Sequence, residues 1–213
     1  MNRLNVLIGM ECSDIVRSAF EKRGHNAVSC DLKPCEKGYH SSHWVCDIYK
    51  ALNYGIPWDI IILHPDCTKL CVSGNRWYGK GTPGYAQRQS ATEWTARLWE
   101  DAKRAARLGA CLENPVSVIW KHLQCDRVQY IQPWMYGHGE TKKTGLALDR
   151  LPELKPTNIV EGREQRVWKM APSSTRKADR ARTYIGIADA FANQWGALSV
   201  ATDSPQLTTV DSK

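Results

Sequence analysis

The segment His64-Pro65-Asp66-Cys67 follows the strand-like run Trp58 to Leu63, which sets a thiol at the carboxyl end of a strand. Open α/β sheets gather their chemistry at that end. A thiolate there can add to an electrophilic carbon and later leave, and its charge state decides how well it does so. Other strand ends carry Gly9-Met10-Glu11-Cys12-Ser13, Asp31 and Asp47-Ile48. An acid ending the second strand can accept both hydroxyls of a ribose, and Asp47 ending the third can accept from an adenine amino group. A single Asp after a strand is an ordinary turn or cap residue. In this order the segments point to an adenosine-containing cofactor, with Gly9, Glu11, Cys12, Ser13, Asp31, Asp47, Ile48, His64 and Pro65 as candidate contacts.

The elements that must position these residues can be read from apolar periodicity. Leu4 to Ile8, Asn26 to Cys30, Trp44 to Ile48, Trp58 to Leu63 and Ala110 to Leu112 read as strands. Ser13 is positioned to cap a helix that buries Ile15, Val16, Ala19 and Phe20 and stops at Gly24. Ser90-Ala91-Thr92-Glu93 has the form of a capping box, opening a helix with Trp94, Leu98 and Ala102 inward. Val128 to Ile131 and Thr144 to Leu148 read as a later, antiparallel pair. Strands separated by crossover helices predict an α/β fold with a mainly parallel, doubly wound sheet and an antiparallel edge. Residues 1–198 read as a single domain. Within it, residues 75–89 form a mobile basic loop and residues 152–177 an irregular connection, and residues 199–213 read as a flexible tail.

The chain has 213 residues, a formal charge of +7 and eight cysteines. A sequence pI near 9.0 favours a polyanionic partner. Mean hydropathy is −0.47, and no apolar run approaches the length of a membrane span or a signal peptide. The expectation is a cytoplasmic protein with no membrane partner, whose cysteines are reduced. Most of them read as small buried hydrophobes. Cys35, His40, His43 and Cys46 are close enough in sequence to form an alternative zinc set, although no CxxC knuckle is present.

Four segments together resemble the DNA (cytosine-5) methyltransferases. Pro65-Asp66-Cys67-Thr68-Lys69-Leu70-Cys71-Val72-Ser73-Gly74 is similar to that family's Pro-Cys segment, and Glu113-Asn114-Pro115 to its Glu-Asn-Val segment. Tyr136-Gly137-His138-Gly139-Glu140-Thr141-Lys142-Lys143-Thr144 resembles the Tyr-Gly-x-Pro-Gln-x-Arg-x-Arg segment. The stretch from Tyr184-Ile185-Gly186-Ile187-Ala188 to Trp195-Gly196 resembles the closing helix beside the cofactor. The order of these segments spans residues 4–196. It is especially similar to small, mostly phage-borne methyltransferase-like proteins, whose location would be the bacterial host cytoplasm.

The resemblance implies a Rossmann-like class I methyltransferase fold and S-adenosyl-L-methionine as cofactor, with Gly186 and Ile187 added to its contacts. It makes Cys67 the nucleophile that adds to cytosine C6. Glu113 becomes the proton donor at N3, with a pKa raised by burial. Lys142 steadies the base or a phosphate where the family uses arginine. Ser73, Gly74 and Asn114 shape the substrate loop. Arg76, Lys80 and Arg88 suit phosphate contacts and Trp77 stacking on a base.

Glu11, Cys12 and Asp14 stand where the family prefers small residues, and Asp66 where Pro or Phe is usual. An inward Asp66 would raise the thiol's pKa. The stretch after Lys142 is too short for a separate recognition domain, so specificity for double- or single-stranded DNA would be short, relaxed, or supplied by a protein partner. Methylation of single-stranded nucleic acid or a cytidine nucleotide remains open at this point, as does an inactive nucleic-acid-binding or decoy module.

Overall fold

The computed structural model describes residues 3–199; beyond Ser199, the expected tail lies outside the described residues. Asn5-Val6-Leu7-Ile8-Gly9 is apolar on both faces and forms strand β1 (Asn5–Gly9) at the centre of the sheet. It pairs in parallel with β2 (Asn26–Asp31) on one side and β4 (Ile60–Leu63) on the other. β3 (His43–Val45) extends the sheet beyond β2, and β5 (Gly109–Pro115) extends it beyond β4, both in parallel. β7 (Thr144–Asp149) then runs antiparallel to β5 and to the edge strand β6 (Arg127–Ile131). The order is β3-β2-β1-β4-β5-β7-β6. That order and polarity make this a Rossmann-like, doubly wound α/β fold, with the antiparallel strand set one in from the edge.

A parallel sheet must be covered on both faces, and alternate residues of each strand serve the two layers. Val6, Ile8, Ile60 and Ile62 pack with helices α1 (Ile15–Glu21) and α7 (Ile185–Gln194). Leu7, Ile61 and Leu63 pack with α2 (Ile48–Leu52) and α4 (Tyr85–Ala105), where Leu98, Trp99 and Ala102 are fully buried.

Several local expectations change. The third strand stops at Val45, because Asp47 caps α2 by accepting the Tyr49 N–H at 2.8 Å. Ser13 is not the cap of α1. Asp14 occupies that position at φ 70°, and Glu11 Oε1 accepts the Val16 N–H at 3.1 Å. Ser90 lies inside α4 and donates to the Ala86 carbonyl at 3.2 Å; the helix begins at Tyr85, just after Pro83-Gly84. The expected mobile loop at residues 75–89 is therefore largely helical, made of α3 (Asn75–Tyr78) and the first turn of α4.

Residues 152–177 are mainly irregular, with α5 (Arg166–Lys169) and the start of α6 (Arg176–Ala181). Bridges Tyr136–Asn158 and Glu140–Glu164 tie this connection to the loop before β7. Among the described residues, no helix is long and apolar enough to cross a membrane.

Helix α7 docks through a glycine. A Cβ on Gly186 would run into the Tyr136 carbonyl, and the Gly186 N–H donates to His138 Nε2 at 3.1 Å. Gly186→Ala is expected to cost at least about 2 kcal/mol through overpacking, read as a lower urea midpoint at unchanged slope.

Candidate active site

Cys67 belongs to a loop that is held from every side. After β4, Pro65 passes its carbonyl to Asn114 Nδ2 at 3.1 Å. The Leu70 and Cys71 N–H groups both return to the Cys67 carbonyl, at 3.0 and 2.8 Å, closing a tight turn. The far side is paired to the segment after β5: Val72 N–H to the Val116 carbonyl at 2.9 Å, and Val118 N–H and Ser117 Oγ to the Leu70 carbonyl. Arg88, buried in α4, fills the hollow beneath. Its guanidinium donates to the Lys69 carbonyl at 2.6 Å, the Cys71 carbonyl at 3.1 Å and Asn75 Oδ1 at 2.6 Å. Gly74 is buried there too, since a Cβ would lie 2.8 Å from the Thr68 carbonyl.

Cys67 and Cys71 lie at the two ends of this turn, close enough for each thiol to set the other's proton affinity. Cys71 also meets Ser73 Oγ at 3.0 Å. Donation from Cys67 brings Cys71 down to about 5 against the opposing effect of burial, helped by Ser73, the Gly74 N–H and the Arg88 charge. Cys67 moves up, through that same hydrogen bond, burial, and the charges of Cys71, Glu113 and Asp66. Asp66 itself points outward, 62% exposed, against Lys177 at 3.0 Å and the Thr68 N–H at 2.9 Å.

Glu113, one strand over on β5, accepts from His64 Nδ1 at 3.1 Å. Burial pushes its carboxyl up, but the His64 hydrogen bond and the charges of Lys142 and His64 outweigh it, and the net shift is down. This reverses the raised value expected from burial alone: the carboxyl holds its charge because it has cationic company. Lys142, whose Nζ donates to the Arg182 carbonyl at 3.1 Å, is near enough for its charge to act on Glu113 and Cys67. Burial pulls its ammonium pKa down despite those two neighbours, assisted by Arg180 and Arg166.

A carboxylate with a depressed folded value contributes stability above the unfolded value, about 4.3 for Glu, and loses it as pH falls through the folded one. The stability advantage of the native protein over Glu113→Gln is therefore expected to be full above about pH 5 and to shrink on acidification. Urea unfolding of both proteins between about pH 3 and 6 measures it.

At the other strand ends the sequence candidates divide. Glu11 is buried and its Oε2 has no partner. Cys12 is half-buried, its thiol raised by burial and by the charges of Asp31 and Glu36. Asp31 uses Oδ1 on the Lys33 N–H at 2.9 Å, and Ser13 donates to Glu11 at 2.7 Å. The remaining candidates have other tasks. Ile48 and Ile187 are core residues, and Gly9 leaves room for Ile48. Asp47 is a helix cap, His64 is paired with Glu113, and Pro65 is buried beside Asn114. Gly186 accommodates Tyr136.

Of the substrate candidates, Ser73, Arg76, Trp77 and Lys80 are exposed near the Cys67 loop, with Arg76 over the Trp77 ring at 5.2 Å. Arg88 is not available to phosphate. The alternative zinc set does not assemble. His43 engages Ser29 Oγ at 2.8 Å and the Lys33 carbonyl at 2.9 Å, and His40 meets Arg17. Among the described residues, no group of three or more His, Cys, Asp or Glu side chains could hold a metal ion.

Sequence reasoning missed Cys71 as the partner of Cys67 and Arg88 as the support beneath them. The spacing of Cys67 and Cys71, four apart, was the available signal for the first.

The sequence matches no protein-family model and no curated protein. Among solved structures it is similar to a prophage-encoded protein of E. coli described as a DNA modification methyltransferase, at 12% identity and TM-score 0.49 over 79% of this chain. It is also similar to the Entamoeba histolytica methyltransferase EhMeth (14% identity, TM-score 0.48, 78% of this chain) and to the S. pombe Dnmt2 methyltransferase (13%, 0.44, 78%). The chain spans little more than half of each of these, at 55%, 58% and 53% of their lengths respectively.

Proposed function

We propose that the protein transfers a methyl group from S-adenosyl-L-methionine to C5 of cytosine in DNA, through a covalent bond between Cys67 and C6. The observation that carries this reading is the convergence of Cys67, Glu113 and Lys142 at the carboxyl ends of β4 and β5, where Glu113 raises the proton affinity of Cys67 and Lys142 lowers that of Glu113. A thiol, a carboxylate and an ammonium around one opening are what the C6 addition needs: a nucleophile, a group at N3, and a positive charge for the negative charge that develops on the ring.

The cofactor side supports it. A buried carboxylate oxygen without a partner, Glu11 Oε2, suits the positive end of S-adenosyl-L-methionine, and Asp31 suits its ribose. Cys12 and Ser13 would lie along it. When bound, the cofactor supplies an electrophilic methyl group.

The chain's own residues do the rest. The Cys67 thiol must give up its proton to water as it adds to C6, because the neighbouring Cys71, held down at about 5, is too weak a base to take it. Lys142 favours the thiolate that results. Glu113 carries no proton of its own at neutral pH, so the proton for N3 comes through its hydrogen bond with His64. Asn114 keeps the loop in register with β5 through Pro65. Arg76, Lys80 and Trp77 would grip a base turned out of the helix, an extrusion that costs about a few kcal/mol.

Incubation with labelled S-adenosyl-L-methionine and duplex DNA, single-stranded DNA or cytidine nucleotides, followed by nucleoside analysis, tests the reading. 5-Methylcytosine in DNA is the expected product. Label in the nucleotide alone would move the substrate, and label in none would overturn the activity.

A further inference from the structure

Two cysteines here share a single turn of one partly exposed loop, closed by the Cys71 N–H on the Cys67 carbonyl at 2.8 Å, and the thiol pKa of the second is lowered. Cys71 has Ser73 Oγ at 3.0 Å, the Gly74 N–H and the Arg88 charge on one side and the Cys67 thiol on the other. Both residues are partly exposed. Cys30 and Cys46 also share a hydrogen bond, but burial raises both thiols, Cys30 to about 12, and Cys30 is fully covered. Cys12 and Cys125 are raised by burial and by neighbouring acids. The charged groups whose fields reach the Cys67–Cys71 pair are Glu113 and the outward-pointing Asp66 on the Cys67 side, Lys142 across the opening, and Arg88 from α4.

We propose that Cys67 and Cys71 form an oxidisable dithiol, which reacts with low-molecular-weight disulfides to close a reversible Cys67–Cys71 disulfide. Cys71, as thiolate, attacks one sulfur of the small disulfide; a mixed disulfide forms on Cys71 and one small thiolate leaves. Cys67 gives its proton to that thiolate and attacks the Cys71 sulfur. The Cys67–Cys71 bond forms and the second small thiolate departs, taking a proton from water. The two cysteine sulfurs lose two electrons, and the small disulfide gains them.

The loop is built for the second step. The Cys71 N–H to Cys67 carbonyl bond at 2.8 Å closes one turn of chain between the two residues and keeps them close. A disulfide across so short and partly exposed a loop is open to small thiols, which is the character of a switch and not of a structural cross-link. On the reading of Cys67 as nucleophile, the oxidised protein cannot form the C6 bond.

The experiment treats the native protein with glutathione disulfide, without DNA or cofactor, and maps the products by mass spectrometry. The expected result is an intramolecular disulfide in the peptide holding Cys67 and Cys71, at a rate that rises with pH around about 5 and is reversed by dithiothreitol. Cys67→Ser should accumulate the glutathione adduct on Cys71, and Cys71→Ser should leave Cys67 unmodified. Modification of Cys12, Cys46 or Cys125 at the same rate as Cys71, or persistence of the adduct on Cys71 in native protein, would overturn the proposal. Mass detection needs no methyl transfer, so a protein that oxidises as described yet methylates nothing would refute only the function proposed above.

Discussion

Cys67→Ala is expected to lower methyl transfer by about 10⁴-fold or more, the scale seen when a covalent nucleophile is removed. Without the C6 bond, C5 lacks the electron density to take a methyl group. The loop should survive, because the Leu70 and Cys71 N–H bonds to the Cys67 backbone carbonyl are untouched by the substitution. Cys67→Ser should fare little better, since a hydroxyl is a far weaker nucleophile than a thiolate. Steady-state rates on DNA measure the loss, and DNA carrying 5-fluorocytosine should trap a covalent adduct with the native protein only. An active Cys67→Ala protein would refute the covalent mechanism while leaving a methyltransferase.

Replacing Arg88 should have a large effect on folding. The side chain is only 6% exposed, and its guanidinium satisfies two backbone carbonyls and Asn75 at once. Arg88→Met strands those acceptors in a buried setting, with an expected cost of about 3–5 kcal/mol, or roughly 10 °C in melting temperature. Arg88→Lys should recover little, because one ammonium cannot span three acceptors that a planar fork reaches. The same loss removes the positive charge beside Cys71. In Arg88→Met, which lacks that charge, the thiolate absorbance should therefore titrate at higher pH than in the native protein. A substitution that left both stability and that titration unchanged would show that Arg88 does not support the loop.

These two residues differ in how readily the sequence discloses them. Cys67 follows an uninterrupted apolar run and a proline, so its placement at a strand end needs only the local pattern. Arg88 looks like any basic residue in a Gly- and Lys-rich stretch, and was assigned to phosphate on that ground. Its burial depends on the turn at Pro83-Gly84 starting α4 early, which brings Arg88 under the 67–74 loop. The same distinction holds for Asp47 and Ile48. The strand expected there ends early because a cap for α2 satisfies Asp47 better than another sheet pair would.

By itself the sequence determined the strands, their alternation with helices, and the residues at the carboxyl ends of the strands, because period and propensity act over a few neighbouring residues. It also placed Glu113 and Asn114 at the end of β5. Only the tertiary structure decided the charges. Glu113 is ionised and not protonated because His64, 49 residues earlier, reaches it across the sheet. The thiolate falls to Cys71 and not Cys67 because Cys67 donates to it, with Ser73, the Gly74 N–H and the Arg88 charge adding to the same effect. Proton affinity follows from what surrounds a group in space, and the groups that set it here come from α4, β4, β5 and the loop before β7.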